Sequence, residues 1–575
     1  MSQVKGIPYG ISDFNRIRNG NFYFVDKTMY LPLIEKMPSY LFLIRPRRFG
    51  KSVFLSMMRT YYDILRQDDF DAYFGDLWIG THPTGERNKY QVLYFDFSKA
   101  GCSMPGADLM TSFNDYCGLI INQFAHVYAA YYDADFKETV EHIESAKSKL
   151  AYIEVKAKEK GYPLYLIIDE YDNFTNVILS EHGQRMFHDL THASGFYREY
   201  FKQFKGMFDR IFMMGVSPVT LDDLSSGYNI DWNISVDPRF NAMMGFDETD
   251  VREMFRYYQQ NDMLKGDAEA MITEMKPWYD NYCFSEDALN EPPMYNSDMV
   301  LYFVKNYIDN GKAPREMIED NIRIDYEKLR MLIRKDKEFA NDASVIQTLV
   351  SQGYITGELK KGFPAVNITN PDNFISLLYY FGMLTISGID KGKTKLTIPN
   401  LVVQEQLYTY LLNTYNDADL NFSSYEKSEL SSQLAYDGNW QAYFGYIADC
   451  LKRYASQRDK QKGEFFVHGF TLAMTAQNRF YRPISEQDTQ AGYVDIFLCP
   501  MLDIYSDMKH SYIVELKYAK YRDSENRVEE LRQEAIAQAN RYADTDTVKQ
   551  AIGSTQLHKI VVVYKGMEMR VCEEL

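Results

Sequence analysis

No stretch of this 575-residue chain approaches the ~18 consecutive apolar residues that span a bilayer, so no membrane-crossing helix and no membrane partner are expected. Residues Met1 to Phe14 lack a basic start followed by an apolar run, so no signal peptide is expected either. The six cysteines, Cys102, Cys117, Cys283, Cys450, Cys499 and Cys572, form no CxxC pair. That argues against a zinc ribbon or a disulfide framework and for reduced, mostly buried thiols in a cytoplasmic protein. Internal repeats and low-complexity tracts are absent, which excludes a solenoid or a disordered linker protein. Positive charge is in deficit: 63 Lys and Arg face 80 Asp and Glu, a formal net charge of -17. A general nucleic-acid-coating role needs the opposite balance, although a local basic groove on an acidic body remains compatible with it.

What is present is a globular composition, with 46% hydrophobic and 25% charged residues, long enough for three or four domains. The 47 Tyr and 36 Phe point to aromatic-rich cores. Between residues 41 and 246, short apolar runs alternate with helical stretches. The runs are Leu41–Pro46, Val92–Phe97, Leu164–Ile168, Ile211–Gly215 and a weaker fifth, Phe240–Phe246. That alternation predicts an α/β domain, residues 1–246, with a parallel sheet covered on both faces. Residues 247–415 read as mainly helical, opening at Asp247-Glu248-Thr249-Asp250 with acids in the first turn. Within them, a helix, a turn and a small hairpin from Phe374 to Pro399 suit a winged-helix-like module. Asn416 to Ser424 reads as a linker, and residues 425–575 as a final α/β domain.

The sharpest signal is Arg45-Pro46-Arg47-Arg48-Phe49-Gly50-Lys51-Ser52, set between an apolar run and an amphipathic one. Strand, turn ending in Gly-Lys-Ser, then helix is the layout of a phosphate-binding loop. Lys51 would reach the terminal phosphates of ATP and Ser52 would hold Mg²⁺, with Arg47, Arg48, Phe49 and Gly50 completing the cradle. The match is partial, because Arg45 stands where such loops carry glycine. A second apolar strand ends in Asp169-Glu170, which would give a Mg²⁺-binding Asp169 and a water-polarising Glu170. A third ends near Ser217, placed to sense the γ-phosphate. Arg45, Arg47 and Arg48 have two readings, added positive charge beside phosphate or a salt-bridged surface. Arg239 is either an arginine finger or an ordinary loop residue. The alternative for the whole set is a plain turn beside a solvated Asp-Glu pair.

Together with the lead-in Val25-Asp26-Lys27-Thr28, and Gly215-Val216-Ser217-Pro218 followed by Leu221-Asp222-Asp223-Leu224, the loop resembles the bacterial AAA-ATPase-like family. Members commonly carry a C-terminal PD-(D/E)XK nuclease-superfamily domain. The resemblance covers nearly the whole chain, implies a P-loop fold of the AAA or STAND kind, and accounts for Arg45 as a family habit. It is compatible with a homo-oligomer as well as a monomer.

Near the C-terminus, Gly492–Leu498 and Ser511–Lys517 read as two strands. Alternation puts Glu515 and Lys517 on one face, and hairpin pairing brings Asp495 beside them. Two carboxylates can hold Mg²⁺ or Mn²⁺, and the lysine can orient a water toward a phosphodiester. A helix from Arg527 to Tyr542 and a strand from Lys559 to Tyr564 complete a β-β-α-β order. That order resembles the PD-(D/E)XK core, which implies catalytic roles for Asp495, Glu515, Lys517 and Gln538 and a metal-binding Glu464 in the first helix. Val494 replaces the name-giving proline. The alternative is an inactive copy in which Glu515 and Lys517 form a strand-face ion pair. His188 and His192, four apart, lack the pattern and the third ligand of a zinc site.

The leading expectation is an ATP-binding and ATP-hydrolysing protein controlling a metal-dependent nuclease that acts on nucleic acid, DNA ahead of RNA, in defence or mobile-element biology. Its rival is an ATP-dependent switch whose nuclease-like domain only binds nucleic acid or a protein.

Overall fold

The computed structural model describes residues 3–100, 109–173, 196–219, 232–319, 345–364, 367–368, 370–415, 424–454, 463–476, 478–489, 492–502 and 504–575. The chain divides into two compact units, Met1–Asp325 with Gly357–Lys395, and Tyr326–Thr356 with Leu396–Leu575. The middle segment 247–415 is therefore shared between the two units.

The first unit is built on a five-stranded parallel sheet in the order β2-β3-β4-β1-β5. Its strands are β1 (Tyr40–Ile44), β2 (Gln91–Asp96), β3 (Leu164–Asp169), β4 (Arg210–Gly215) and β5 (Trp232–Asn233). All six residues of β3 are buried, as expected of a strand covered on both faces. β4 lies between β1 and β3, so the loops leaving those two strands emerge at the same sheet edge. The fifth strand is not where the sequence suggested. Pro238–Phe240 forms a single 3₁₀ turn capped by Asp237, and Phe246 makes only an isolated bridge to Tyr295. Pro238, two residues before that run, has the fixed φ that suits the first position of a turn and cannot donate to a ladder.

The helical opening at Asp247 is formed as expected, with a reciprocal capping box between Asp247 and Asp250 at the start of Glu248–Gln260. Later come β6 (Tyr354–Gly357), the helix Pro371–Tyr380, and a hairpin of β7 (Thr385–Asp390) and β8 (Lys393–Thr397). Lys391 and Gly392 both have positive φ (50° and 78°), the backbone that a two-residue hairpin loop requires.

The second unit holds the sheet β13-β12-β11-β10-β9. Its strands are β9 (Tyr481–Thr489), β10 (Gly492–Pro500), β11 (His510–Ala519), β12 (Gln556–Lys565) and β13 (Glu568–Glu574). β11 and β12 run parallel, and the helix Glu525–Ala543 makes the crossover between them. Ser524 caps that helix by accepting from the Arg527 N–H. Val528, Leu531, Ala535, Ala539 and Tyr542 line its buried stripe and pack on one sheet face against Phe497, Ile513, Val561 and Val563. Of the stretch read as a linker, Asn416 to Ser424, residues 416–423 lie outside the described residues and Ser424 opens the helix Ser424–Asp437; the histidines His188 and His192 also lie outside the described residues. So does the segment Leu221–Leu224.

Candidate nucleotide and nuclease sites

In the first unit, β1 runs into the loop 45–50 and then the helix Lys51–Tyr62. Gly50 caps that helix in the left-handed region (φ 83°), a conformation glycine adopts without Cβ strain. The Lys51 ammonium is buried and donates to the Arg45 and Pro46 carbonyls of its own loop, at 3.1 and 2.8 Å. Burial lowers its pKa, and the Glu170 and Asp169 charges work in the other direction. One residue on, the Ser52 hydroxyl donates to Asp169 Oδ2 at 2.6 Å. The loop helix and the end of β3 therefore meet through the two groups read as Mg²⁺ ligands. Asp169 is 3% exposed, and burial holds its carboxyl above the ordinary range despite the Ser52 bond and the Lys51 charge. The Tyr94 hydroxyl also donates to Asp169 Oδ2, at 3.3 Å. Glu170 follows in a left-handed conformation (φ 48°), half-buried, with its N–H on Asp169 Oδ1.

The loop arginines differ in role. Arg45 is buried and turned into the unit. It donates to the carbonyls of Ile44 (3.0 Å), Ser235 (2.6 Å) and Phe240 (2.9 Å) and lies 4.3 Å from the Phe284 ring centroid. It ties the loop to the chain beyond β5 and adds no charge to the cradle. Burial pulls its pKa down to about 10. Arg48, at φ 69°, pairs with Asp298 at 2.9 Å. Arg47 is half-buried, and its carbonyl accepts from the Asn296 amide. Phe49 packs inward edge-on against Tyr282 and Phe284, so its contribution to the cradle is main chain. Arg239 is exposed and paired with its near neighbour Asp237.

Ser217 is fully buried, and its hydroxyl accepts from the Val219 N–H in a local turn. Its position depends on a residue the sequence reading missed. Asp172 is 2% exposed and accepts from the N–H groups of Val216 (3.1 and 3.2 Å) and Ser217 (2.6 Å). Tyr171 adds a hydroxyl bond to the Ser217 carbonyl and an N–H bond to the Met214 carbonyl. Residues 171–172 are thus stitched to the end of β4. A carboxylate three positions beyond Asp169 was the available signal.

In the second unit, β10 and β11 pair antiparallel with Phe497 opposite Ile513. Two steps further along that register, Asp495 comes across from Glu515, on the face under the helix Glu525–Ala543. Lys517 Nζ lies 3.0 Å from Asp495 Oδ2 and 3.5 Å from Glu515 Oε2, and the Leu516 N–H donates to Asp495 Oδ2 at 3.0 Å. Glu515 is fully buried, and its Oε1 has no hydrogen-bond partner. Burial, then the facing Asp495, lifts the Glu515 carboxyl well above the usual carboxylate range. Burial opposes the Lys517 charge, but the two carboxylates outweigh it and raise the lysine. A buried and a half-buried carboxylate bridged by one lysine, with one Glu515 oxygen left without a partner, are hard donors suited to a divalent cation.

Gln538 and Tyr542 lie one turn apart on the same helix face, and the Gln538 amide oxygen is also buried without a hydrogen-bond partner. Tyr542, which the sequence reading passed over, feels the charges of Glu515, Asp495 and Lys517; burial, then Glu515, raises its hydroxyl. The four-residue spacing from Gln538 was the signal. Glu464 does not join the cluster. It is the exposed first residue of the helix Glu464–Ala476, beside Tyr518, which alternation puts on the sheet face opposite Glu515 and Lys517. One turn later, His468 reaches the Asp495 carbonyl with Nε2 at 3.2 Å. Among the described residues, no three His, Cys, Asp or Glu side chains gather as a metal site, so the two carboxylates form the side-chain donor set.

Residues 8–225 match the family model for a predicted AAA-ATPase, and residues 462–574 match that of the PD-(D/E)XK nuclease superfamily. A relative from Azotobacter chroococcum, described as an uncharacterized protein in the vnfD 5' region, is 26% identical over 439 residues, 72% of this chain and 70% of that protein. Similar solved structures include Cdc6p from Pyrobaculum aerophilum (12% identity, 71% of this chain and 97% of that one, TM-score 0.26). ORC2 from Aeropyrum pernix is another (11%, 68% and 93%, TM-score 0.31). Among the described residues, no helix is long and apolar enough to cross a membrane. The chain thus joins an AAA-ATPase-like region, residues 8–225, to a C-terminal PD-(D/E)XK nuclease-superfamily region, residues 462–574.

Proposed function

We propose that this chain binds and hydrolyses ATP in its first unit and uses the nucleotide state to control phosphodiester cleavage of nucleic acid by its second. The observation that carries the reading is the convergence of Asp495, Glu515 and Lys517 with an unsatisfied oxygen on Glu515. A bound Mg²⁺ or Mn²⁺ would be held by Asp495 and Glu515 and would supply Lewis acidity and a water of lowered pKa. Lys517 holds both carboxylates in register and presents its ammonium where a water or a phosphate oxygen is to be oriented. The helix Glu525–Ala543 covers this face and limits water access around it.

At the nucleotide site, Ser52 and Asp169 offer a second pair of hard oxygen ligands. Lys51 can move from its loop carbonyls to a terminal phosphate, and Glu170 is placed beside Asp169 to orient water. DNA is the first substrate to test. A cytoplasmic location accords with the free thiols of the five described cysteines. A homo-oligomer and a place in defence or mobile-element biology belong to the same reading.

One observation favours a second reading. Lys517 already spans both carboxylates, as a structural ion-pair cluster in an inactive nuclease-like domain would. An assay of DNA and RNA cleavage with Mg²⁺ or Mn²⁺, with and without ATP, decides between them. Activity lost in Glu515→Gln and Lys517→Ala supports the nuclease, and loss of its ATP dependence in Lys51→Ala supports the coupling. Binding without cleavage under every metal favours the switch.

A further inference from the structure

The strand that carries Glu515 and Lys517 ends in a turn, Lys520-Tyr521-Arg522-Asp523, that the cleavage chemistry leaves unused. The turn is structured. Its first N–H donates to Asp523 Oδ2 at 2.8 Å, and the Asp523 N–H returns to the Lys520 carbonyl at 2.9 Å. Beneath it, the Gly566 N–H donates to the Ala519 carbonyl at 2.9 Å, which fixes it to the β12–β13 turn. Gly566 has φ 61°, and a Cβ there would sit 3.4 Å from the Tyr521 ring, so glycine leaves space beside the aromatic.

On this fixed turn Tyr521 is 82% exposed, far more than any other large hydrophobic among the described residues. Lys520 and Arg522 flank it, both exposed. The nearby acids are engaged elsewhere: Asp523 by the turn itself, Glu525 by Lys565 (2.8 Å) and Arg570 (3.4 Å). Among the described residues, the Lys520 and Arg522 side chains have no ion-pair partner. In a chain of net charge -17, two unneutralised cations around a displayed ring are a local exception to the acidic surface.

We infer that Lys520-Tyr521-Arg522 is a contact platform for single-stranded nucleic acid, in which a base stacks on Tyr521 and the adjoining phosphates lie against Lys520 and Arg522. This rests on the nuclease reading and names where the strand lies. Tyr521 is four positions beyond Lys517, so the two lie within about 13 Å along the chain, a span of a few nucleotides. An exposed aromatic face suits an unpaired base, because a duplex offers its π-faces only at its ends. The two cations supply the backbone attraction that stacking lacks.

The test uses the full-length chain in EDTA, so that binding is read without cleavage. Fluorescence anisotropy with a labelled 20-nucleotide DNA strand and a matching hairpin duplex gives the affinities. Tyr521→Ala should weaken single-strand binding about tenfold, in keeping with base stacking, with a smaller change on duplex and with Tyr521→Phe close to native. Lys520→Gln with Arg522→Gln should reduce the slope of log affinity against log salt by about 1.4. Tyr521 is on the surface, so unchanged thermal unfolding will show that the variants fold. Native-like single-strand binding by Tyr521→Ala, or an equal loss on duplex, overturns the inference and leaves the nuclease reading standing. A native chain that binds no nucleic acid overturns both.

Discussion

Replacing Glu515 with glutamine should stabilise the metal-free protein, although it should abolish cleavage. Glu515 is fully buried, faces Asp495 across two strands and has an oxygen without a hydrogen-bond partner. Burial and Asp495 lift its carboxyl well above the ordinary value of 4.5, so the folded state binds the proton more tightly than the unfolded chain does. The contribution of such a group is present at low pH and is lost as pH rises from about 4.5 through the folded pKa. Near pH 8, the fold either bears a buried charge or holds a proton against solution. Glutamine removes both costs, since its carbonyl can accept from Lys517 and its NH₂ can donate to Asp495. A buried polar group left unsatisfied costs about 1–3 kcal/mol, so the gain should be ~2 kcal/mol. For a unit on the order of 200 residues that corresponds to a Tm rise of about 4–8 °C.

Scanning calorimetry in EDTA at pH 5 and pH 8 should show the larger gain at pH 8, confined to one of the unfolding transitions. Adding Mg²⁺ or Mn²⁺ should then reverse the order. A cation at a hundred times its Kd stabilises the native chain by about 2.7 kcal/mol, and the variant, short of one carboxylate, should respond far less. A variant less stable than native in EDTA at pH 8, or one that gains as much from metal, would refute the reasoning about this cluster.

Three further outcomes follow from the first unit. On the proposed reading, Lys51→Ala should reduce ATP turnover at least about 100-fold, measured as phosphate release, because the lysine is the residue expected to reach the terminal phosphates. Gly215→Ala should destabilise the first unit by about 1–3 kcal/mol in urea titrations, since the added Cβ would lie 2.4 Å from both Asp172 Oδ1 and the Tyr171 ring. Asp172 is pushed up to about 6 by burial and Glu170, so its stabilising contribution should fade as pH rises from about 4 to 6; Asp172→Asn should flatten that slope when urea midpoints are compared across the interval.

The parts of the architecture that were legible in the sequence are those set by short-range periodicity. β1, β3 and β4 are near-continuous apolar runs, and the Gly-Lys-Ser turn and the Asp169-Glu170 pair mark their ends. Asp495, Glu515 and Lys517 were legible because alternation along two strands puts them on one face whatever the loop between them does. Long-range competition hid the rest. Phe240–Phe246 is apolar enough for a strand, but Pro238 starts a turn, and the two-residue β5 takes the sheet position beside β1. The inward turn of Arg45 depends on three carbonyls, two of them about 190 residues away, so no local pattern announces it. Glu464 was placed by helix order alone, which does not say which sheet face the helix covers. Asp172 and Tyr542 were visible as residue types, but their roles come from tertiary neighbours.

The two sites differ in how much must move before they act. Lys51 spends its hydrogen bonds on the Arg45 and Pro46 carbonyls of its own loop, so phosphate must displace those bonds to recruit it. Arg48 is similarly engaged with Asp298. Recruiting Arg48 to a phosphate as well would change contacts between the loop and the helix Ser297–Asn310 that supplies Asp298. The Asp495–Glu515–Lys517 cluster is already drawn together, with its register fixed by strand pairing and its lysine seated between both carboxylates. On the proposed reading, a preformed cluster paired with a loop that must rearrange would suit control by nucleotide, because ligand energy can shift an equilibrium only where the two states of a site differ in contacts.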